Sequence, residues 1–146
     1  MSDDRFSEIW GDILAEIPKL RIMLRAAFRK DQEFTVHGKI IQKMERDVIR
    51  ERLDMLRKKW IMDILYFVRL KENPYFADIQ KGLEGINSRT LTNRLQELDE
   101  LGMLNRIVQT GKPIRVFYEL TDYGSGIYEL LMLLNLFIAM NSKENS

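Results

Sequence analysis

Apolar residues recur at intervals of three and four along most of the chain, which is the spacing of amphipathic helices. The first stretch, Arg5 to Glu16, is predicted to end at Ile17, because a residue that precedes proline is disfavoured in the helical conformation. Pro18 is then suited to the first position of a second helix. The apolar stripe between Lys39 and Leu70 fits either one long helix or two, and the preferred break is at Arg57-Lys58-Lys59.

A second group of signals predicts a short helix, a tight turn and a longer capped helix in succession. The short helix covers Tyr75 to Leu83, and Gly85 marks the turn that follows it. Asn87 is a suitable N-cap, because its side chain can accept from a free backbone N–H at the start of the next helix. That helix runs to Leu101, and Gly102 stands where a left-handed helix end favours glycine.

Beyond this helix the hydrophobic period changes to two, which is typical of strands. Leu104 to Thr110 and Arg115 to Leu120 are predicted to form a hairpin around the turn Gly111-Lys112-Pro113. A last helix, apolar almost all round, is expected from Tyr123 to Asn141. The predicted fold class is α+β and mostly helical, a winged helix-turn-helix with extra N-terminal helices and a C-terminal dimerisation helix.

Three segments follow from this order of elements. Residues 1–56 are expected to form an N-terminal helical extension for dimerisation or interaction, residues 57–122 the winged helix-turn-helix domain, and residues 123–146 a dimerisation helix with a tail. A monomer would expose the apolar last helix as a large patch, so a homodimer is predicted. The expected dimerisation residues are Leu130, Leu133, Leu134 and Phe137.

The second helix of a helix-turn-helix enters the major groove, and the wing touches the DNA backbone or the minor groove. The predicted outer face of this helix carries side chains able to contact base edges, namely Arg89, Thr92, Asn93 and Gln96. Its acidic residues are confined to the C-terminal half. Arg94 lies nearer the buried face and is expected to be structural or to reach a phosphate. Lys112 and Arg115 on the wing suit phosphate contacts.

A winged helix that binds only protein is the alternative interpretation, because polar residues occur on any surface helix and fold does not dictate function. Basic hairpin tips are also common for solubility alone. Burial of the face of Arg89 against another chain would favour this protein-interaction module. An enzyme is not expected, since His37 has neither a nucleophile nor a metal cluster beside it in the sequence.

The charge distribution adds a weak indication of a polyanion partner. A net charge of +1 hides a segment from Lys39 to Lys59 with eight Lys/Arg against four Asp/Glu. A solvated helix face is the simpler explanation of that segment. The absence of cysteine excludes disulfides and thiolate metal sites, and no cofactor is expected. No apolar run reaches the length of a membrane span, so a cytoplasmic protein that does not bind a membrane is predicted.

A set of short motifs runs in register from roughly Lys59 to Phe137. They are Lys59-Trp60 with Ile64-Leu65, Tyr75-Phe76-Ala77-Asp78-Ile79, Gly85-Ile86-Asn87-Ser88-Arg89-Thr90-Leu91-Thr92-Asn93-Arg94-Leu95, then Leu98, Gly102, Arg106 and Pro113, and Tyr118-Glu119-Leu120-Thr121 with Gly124. Together they resemble the HxlR-type regulators, winged-helix proteins related to the MarR group. The resemblance implies a homodimer on a palindrome-like DNA operator. It also implies that Asn87 to Leu101 is the recognition helix, which adds Asn87 and Ser88 to the DNA-binding candidates.

The chain departs from the family pattern at several positions. Members commonly carry a cysteine near the start of the domain, which some use to sense oxidants; Asp47 lies about where it would fall, so that route is excluded. Arg57-Lys58 replaces the usual Gly-Gly and suggests a continuous helix there. Tyr75 stands in place of a typical arginine, and Gln109 in place of an aromatic residue.

Overall fold

The computed structural model describes the backbone of residues 2–31 and 37–142 and the side chains of residues 10–26 and 46–142. The tail at 143–146, which the sequence placed after the last helix, lies outside the described residues. The described elements are α1 (Ser2–Asp31), α2 (His37–Leu56), α3 (Ile61–Lys71), α4 (Phe76–Gly82), α5 (Ser88–Glu100), β1 (Leu104–Gln109), β2 (Arg115–Leu120) and α6 (Asp122–Ser142). This order confirms the predicted mostly helical winged helix-turn-helix.

Two compact units divide the chain, Met1–Ile49 and Arg50–Ser146. In the first unit, α1 continues through Pro18, so the predicted break at Ile17 is wrong. A proline inside a helix removes one hydrogen bond and crowds the preceding turn. Pro18 is exposed, which leaves that side of the helix open to water. Helical spacing of apolar residues on both sides of Pro18 is therefore enough to keep one helix.

The second unit is built around one apolar core. Helices α3 and α5 contribute half of its buried residues, and the rest come from the other elements of this unit and the turns between them. Fully buried side chains of this core are Ile61, Ile64, Leu65, Ile79, Leu91, Leu95, Leu98, Met103 and Leu104. The core contains no buried polar or charged residue among those described, so its packing is non-directional.

The chain breaks between α2 and α3, at residues 57–60, as preferred from the sequence. The continuous helix suggested by Arg57-Lys58 is therefore wrong. Trp60 adopts a left-handed backbone conformation with φ of 80°. Met55 and Ile61 are both buried, yet six residues of continuous helix would turn their side chains about 120° apart. The break lets both of them face the same core.

The helix-turn-helix is formed by α4, the turn after it and α5. Gly85 has φ of 90°, a left-handed conformation that glycine adopts without a steric penalty. Asn87 Oδ1 accepts from the backbone N–H of Thr90 at 2.8 Å, which confirms the predicted N-cap. At the other end Gly102, with φ of 71°, ends α5 in the left-handed conformation. The two ends of α5 are thus defined by Asn87 and Gly102, the residues from which the sequence predicted them.

The wing is an antiparallel hairpin in which Leu104 pairs with Leu120 and Gln109 with Arg115. It is attached to the start of α4, because the Tyr118 N–H donates to the carbonyl of Pro74 at 3.0 Å. The predicted strands and turn are confirmed to within a residue.

Helix α6 leaves the wing at a tightly packed corner. Thr121 Oγ1 donates to the carbonyl of Gly102 at 2.7 Å and accepts from the Gly124 N–H at 2.9 Å. A Cβ on Gly124 would overlap the backbone carbonyl of Met103. Within the described residues, α6 is long and apolar enough to cross a membrane by length and composition only, whereas the sequence predicted no segment of that length. One such helix is weak evidence of a membrane span, because the core helix of a soluble protein passes the same test.

Candidate nucleic-acid interface

Helix α5 presents one apolar and one polar face, as the sequence predicted. Leu91, Leu95 and Leu98 are buried in the core and fix the inner face. On the opposite side the four predicted base-reading residues are all exposed; they are Arg89, Thr92, Asn93 and Gln96. The polar face of α5 is therefore exposed to solvent along its length.

The four outward side chains differ in what they offer. Among the described residues, the side chains of Arg89 and Asn93 have no hydrogen-bond or ion-pair partner. Thr92 Oγ1 donates to the carbonyl of Ser88 at 2.8 Å, so only its acceptor capacity remains. Gln96 Nε2 donates one N–H to Glu100 at 2.9 Å and keeps its second N–H and its amide oxygen. The side chains with no partner, Arg89 and Asn93, lie in the first half of the helix, which is the half that enters a groove in this architecture.

The two candidates at the helix start are exposed and already engaged. The Asn87 side-chain oxygen caps the helix, and Ser88 Oγ accepts from Gln80 at 2.7 Å. The amide group of Asn87 and the hydroxyl hydrogen of Ser88 remain able to donate. Such donors at a helix N-terminus suit a phosphate oxygen.

Arg94 differs from the other candidates because it is committed within the protein. Its Nε donates to the carbonyl of Lys59 at 3.2 Å, and its Nη1 donates to Glu97 at 2.8 Å. Its side chain is only 22% exposed. Of the two roles expected from the sequence, the contacts favour the structural one.

The carboxylates of α5 lie in its second half and are bonded within the protein. Glu97 accepts from Lys58 and Arg94, and Asp99 accepts from the Arg106 N–H at 3.3 Å. Burial raises the pKa of Glu97, but the hydrogen bonds and charges of Lys58 and Arg94 outweigh it and hold that pKa below its ordinary value. Glu97 is therefore ionised at neutral pH, and the positive charges of Lys58 and Arg94 balance its negative charge.

The wing carries the two predicted cations in exposed positions. Among the described residues, Lys112 at the tip has no partner. The Arg115 guanidinium lies over the ring of Tyr75 at 5.8 Å, and this ring meets Phe117 edge-on at 6.4 Å. The sequence placed Tyr75 at the start of the short helix and as a departure from a family pattern, but it did not predict this contact. An aromatic residue just before α4, with cations on the wing, was the available signal.

The predicted dimerisation residues follow one face of α6, at intervals of three and four. Leu130, Leu134 and Phe137 are exposed by 66%, 51% and 38%, and Leu133 is half-buried. Large apolar side chains exposed together on one helix are typical of interaction surfaces, so these residues stay candidates for the dimer contact.

The described residues give little support to a metal site or to an enclosed ligand site. They contain no group of His, Asp or Glu side chains able to hold a metal ion. An open cleft of about 640 Å³ lies between the end of α3 and α4, lined by Phe67, Lys71, Glu72, Asn73, Pro74, Tyr75, Asp78, Lys81 and Gly82. No buried side-chain polar atom lacks a hydrogen-bond partner among the described residues.

Several known proteins resemble this chain in sequence and in fold. A family model described as HxlR-like helix-turn-helix matches residues 55–146. YvaP of Bacillus subtilis, an uncharacterised HTH-type transcriptional regulator, is 33% identical over 79 residues, which cover 54% of this chain and 72% of YvaP. YtfH of Escherichia coli, described in the same words, is 32% identical over 96 residues, covering 65% of this chain and 75% of YtfH. The solved structure of YtfH from Salmonella typhimurium superposes with a TM-score of 0.56 at 28% identity, over 65% of this chain and 84% of that one.

Proposed function

The chain belongs to the HxlR-like helix-turn-helix family, and we propose that it binds a specific DNA sequence as a homodimer. Its relatives YvaP and YtfH are described as HTH-type transcriptional regulators. Helix α5 lies in the major groove and the wing lies along the backbone. Catalysis forms no part of this proposal, because the relatives and the fold are those of regulators.

The asymmetry of α5 is the observation that carries the proposal. Arg89 and Asn93 point outward near its start, while its carboxylates are kept in the second half. A guanidinium pairs with the O6 and N7 edge of guanine, and an asparagine amide pairs with the N6 and N7 edge of adenine. Thr92 and Gln96 extend the same face. Asn87 and Ser88 approach a phosphate at the helix start.

The wing anchors the complex without reading sequence. Lys112 and Arg115 meet phosphate oxygens, and Tyr75 supports the Arg115 guanidinium from below. Such contacts release counterions and make the affinity depend on salt.

Dimerisation brings two copies of α5 to successive half-sites. The apolar stripe of α6 packs against its copy, with Leu130, Leu133, Leu134 and Phe137 at the contact. The two-fold symmetry of such a dimer matches a palindrome-like operator. The N-terminal extension, residues 1–56, adds to the interface or binds a further partner. A paired α6 accounts for its apolar surface in a cytoplasmic protein, with no membrane needed.

Two substitutions separate reading from anchoring. Arg89→Ala should weaken the preferred site by about 1–3 kcal/mol and relax discrimination at one base position. Lys112→Ala should weaken every sequence alike and lower the salt slope by about one for each lost phosphate contact, which is about two for the dimer. The measurement is fluorescence anisotropy on preferred and scrambled duplexes over a salt series.

Two results would contradict the proposal. If Arg89→Ala leaves the ratio of specific to non-specific affinity unchanged, that residue does not read a base. If the wild-type protein binds neither duplex at low salt, the winged helix is a protein-interaction module instead.

A further inference from the structure

Two hydrogen bonds join the recognition helix α5 to the turn that precedes α3, and a third, within α5, links the two side chains that make them. Lys58 Nζ donates to Glu97 Oε1 at 2.7 Å, and Arg94 Nη1 donates to Glu97 Oε2 at 2.8 Å. Arg94 Nε also donates to the carbonyl of Lys59 at 3.2 Å. Both carboxylate oxygens of Glu97 are thus used, and the loop of contacts closes through the backbone between Lys58 and Lys59. We call these three side chains, Lys58, Arg94 and Glu97, the hinge triad.

The hinge triad is more sheltered than the other ion pairs described. Arg94 and Glu97 are 22% and 29% exposed and Lys58 is 42% exposed, whereas both members of the Lys19–Glu16 pair exceed half. Isolated exposed pairs contribute little, but a network with a guanidinium fork holds one geometry. The lowered pKa of Glu97 is consistent with this arrangement.

The apolar face of α5 leaves one degree of freedom that the hinge triad restricts. Leucine contacts fix how deeply a helix sits, but they are non-directional and tolerate a small rotation about its axis. Side-chain ends lie about 5–6 Å from a helix axis, so a 10° rotation shifts them by about 1 Å. A functional site needs its groups held to about 0.5 Å, so such a rotation would move the Arg89 guanidinium away from the position in which it can hydrogen-bond a base.

We propose that Arg94, Glu97 and Lys58 are positioning residues that set the rotation of α5, and that Arg94 does not touch DNA. This inference rests on the proposed DNA-binding function and concerns how that function is made specific. It assigns a supporting role to a carboxylate on the helix that enters an anionic groove. It also gives the turn before α3, in which Trp60 has a left-handed backbone conformation, a role in DNA recognition.

The change in DNA affinity caused by one substitution distinguishes a positioning role from simple charge repulsion. Removing a negative charge from a DNA-binding helix should tighten binding to every duplex if charge alone matters. If Glu97 instead positions the helix, Glu97→Gln should lower the ratio of specific to non-specific affinity, by roughly fivefold. Glu84→Gln is the matched control, since it removes the same charge from the exposed turn just before α5, outside the hinge triad and away from the reading face. It should leave that ratio unchanged.

A second substitution distinguishes positioning from phosphate contact. Lysine binds phosphate as a point charge but lacks the fork that reaches both Glu97 and the Lys59 carbonyl. Arg94→Lys should therefore lower the specificity ratio about as much as Arg94→Gln does. Neither variant should change the salt slope by the roughly one unit that a lost phosphate contact produces.

Fluorescence anisotropy on preferred and scrambled duplexes over a salt series measures these quantities, and circular dichroism confirms that each variant is folded. The double variant Arg94→Gln/Glu97→Gln should lose no more specificity than either single variant, because the two residues act as a unit. The inference is overturned if Glu97→Gln tightens both duplexes, as the control does, or if Arg94→Lys keeps full specificity. Failure of the wild-type protein to bind either duplex would overturn the proposed function itself.

Discussion

The apolar stripe on α6 gives a quantitative prediction for the substitution Leu130→Ala. Leu130 is 66% exposed in the single chain, and alanine is the best helix former, so the change leaves the helix intact. It removes about three methylene-sized groups at about 0.8 kcal/mol each, of which about two-thirds are available for burial by a partner. The loss is then about 1.6 kcal/mol for each copy.

Symmetry doubles this loss in the dimer. Both copies present the same side chain in a two-fold interface, so dimerisation weakens by about 3 kcal/mol. This corresponds to a rise in the dimer dissociation constant of roughly 100-fold. Analytical ultracentrifugation over a dilution series measures that constant, with the 17.3 kDa protomer as the lower limit of mass.

Leu70→Ala is the matched control for this measurement. Leu70 on α3 is 61% exposed, close to the value for Leu130, but it lies off the α6 stripe. Its substitution should leave dimerisation unchanged. The reasoning is refuted if the two variants dissociate alike, or if the wild-type protein is monomeric at micromolar concentration.

Three further predictions concern the elements that position the interface. Asn87→Ala removes the cap of α5 and should lower the free energy of unfolding by about 1 kcal/mol in urea titrations; an unchanged midpoint would show that the cap is not needed. Gly124→Ala should be destabilising in the same titrations, because the new Cβ overlaps a backbone carbonyl, whereas Gly126→Ala on the same helix has open space and should stabilise by about 0.5–1 kcal/mol; the opposite order would disprove the packing at this corner. The lowered pKa of Glu97 means that its contribution to stability is complete above the ordinary carboxyl range and is lost as the pH falls through the lowered pKa. The difference in urea midpoint between wild type and Glu97→Gln should therefore shrink below about pH 4, and a difference that stays constant with pH would contradict the ion pairing.

Local signals in the sequence were sufficient for the helix-turn-helix and the wing. Gly85, Asn87 and Gly102 each require a particular backbone conformation or cap, and these requirements are met at the residues themselves. The outer face of α5 was equally predictable, because three leucines at helical spacing determine which side is buried.

Predictions failed for two reasons, one a balance of local preferences and the other the contacts between distant residues. A proline usually ends a helix, but the helical spacing on both sides of Pro18 outweighs that local preference. The replacement of the family's usual Gly-Gly by Arg57-Lys58 suggested a continuous helix, whereas burial of both Met55 and Ile61 in one core requires a break. The partners of Arg94 lie in part 35 positions earlier in the chain, so no local pattern could reveal them.

Selection of bound duplexes from a random DNA pool tests the central claim most directly. A two-fold dimer that reads DNA through α5 should enrich an inverted repeat, with half-site centres about 10–10.5 base pairs or a multiple apart. The Arg89→Ala protein should lose the preference at one position in each half-site. A pool that shows no enriched sequence, or a single site without two-fold symmetry, would contradict the account.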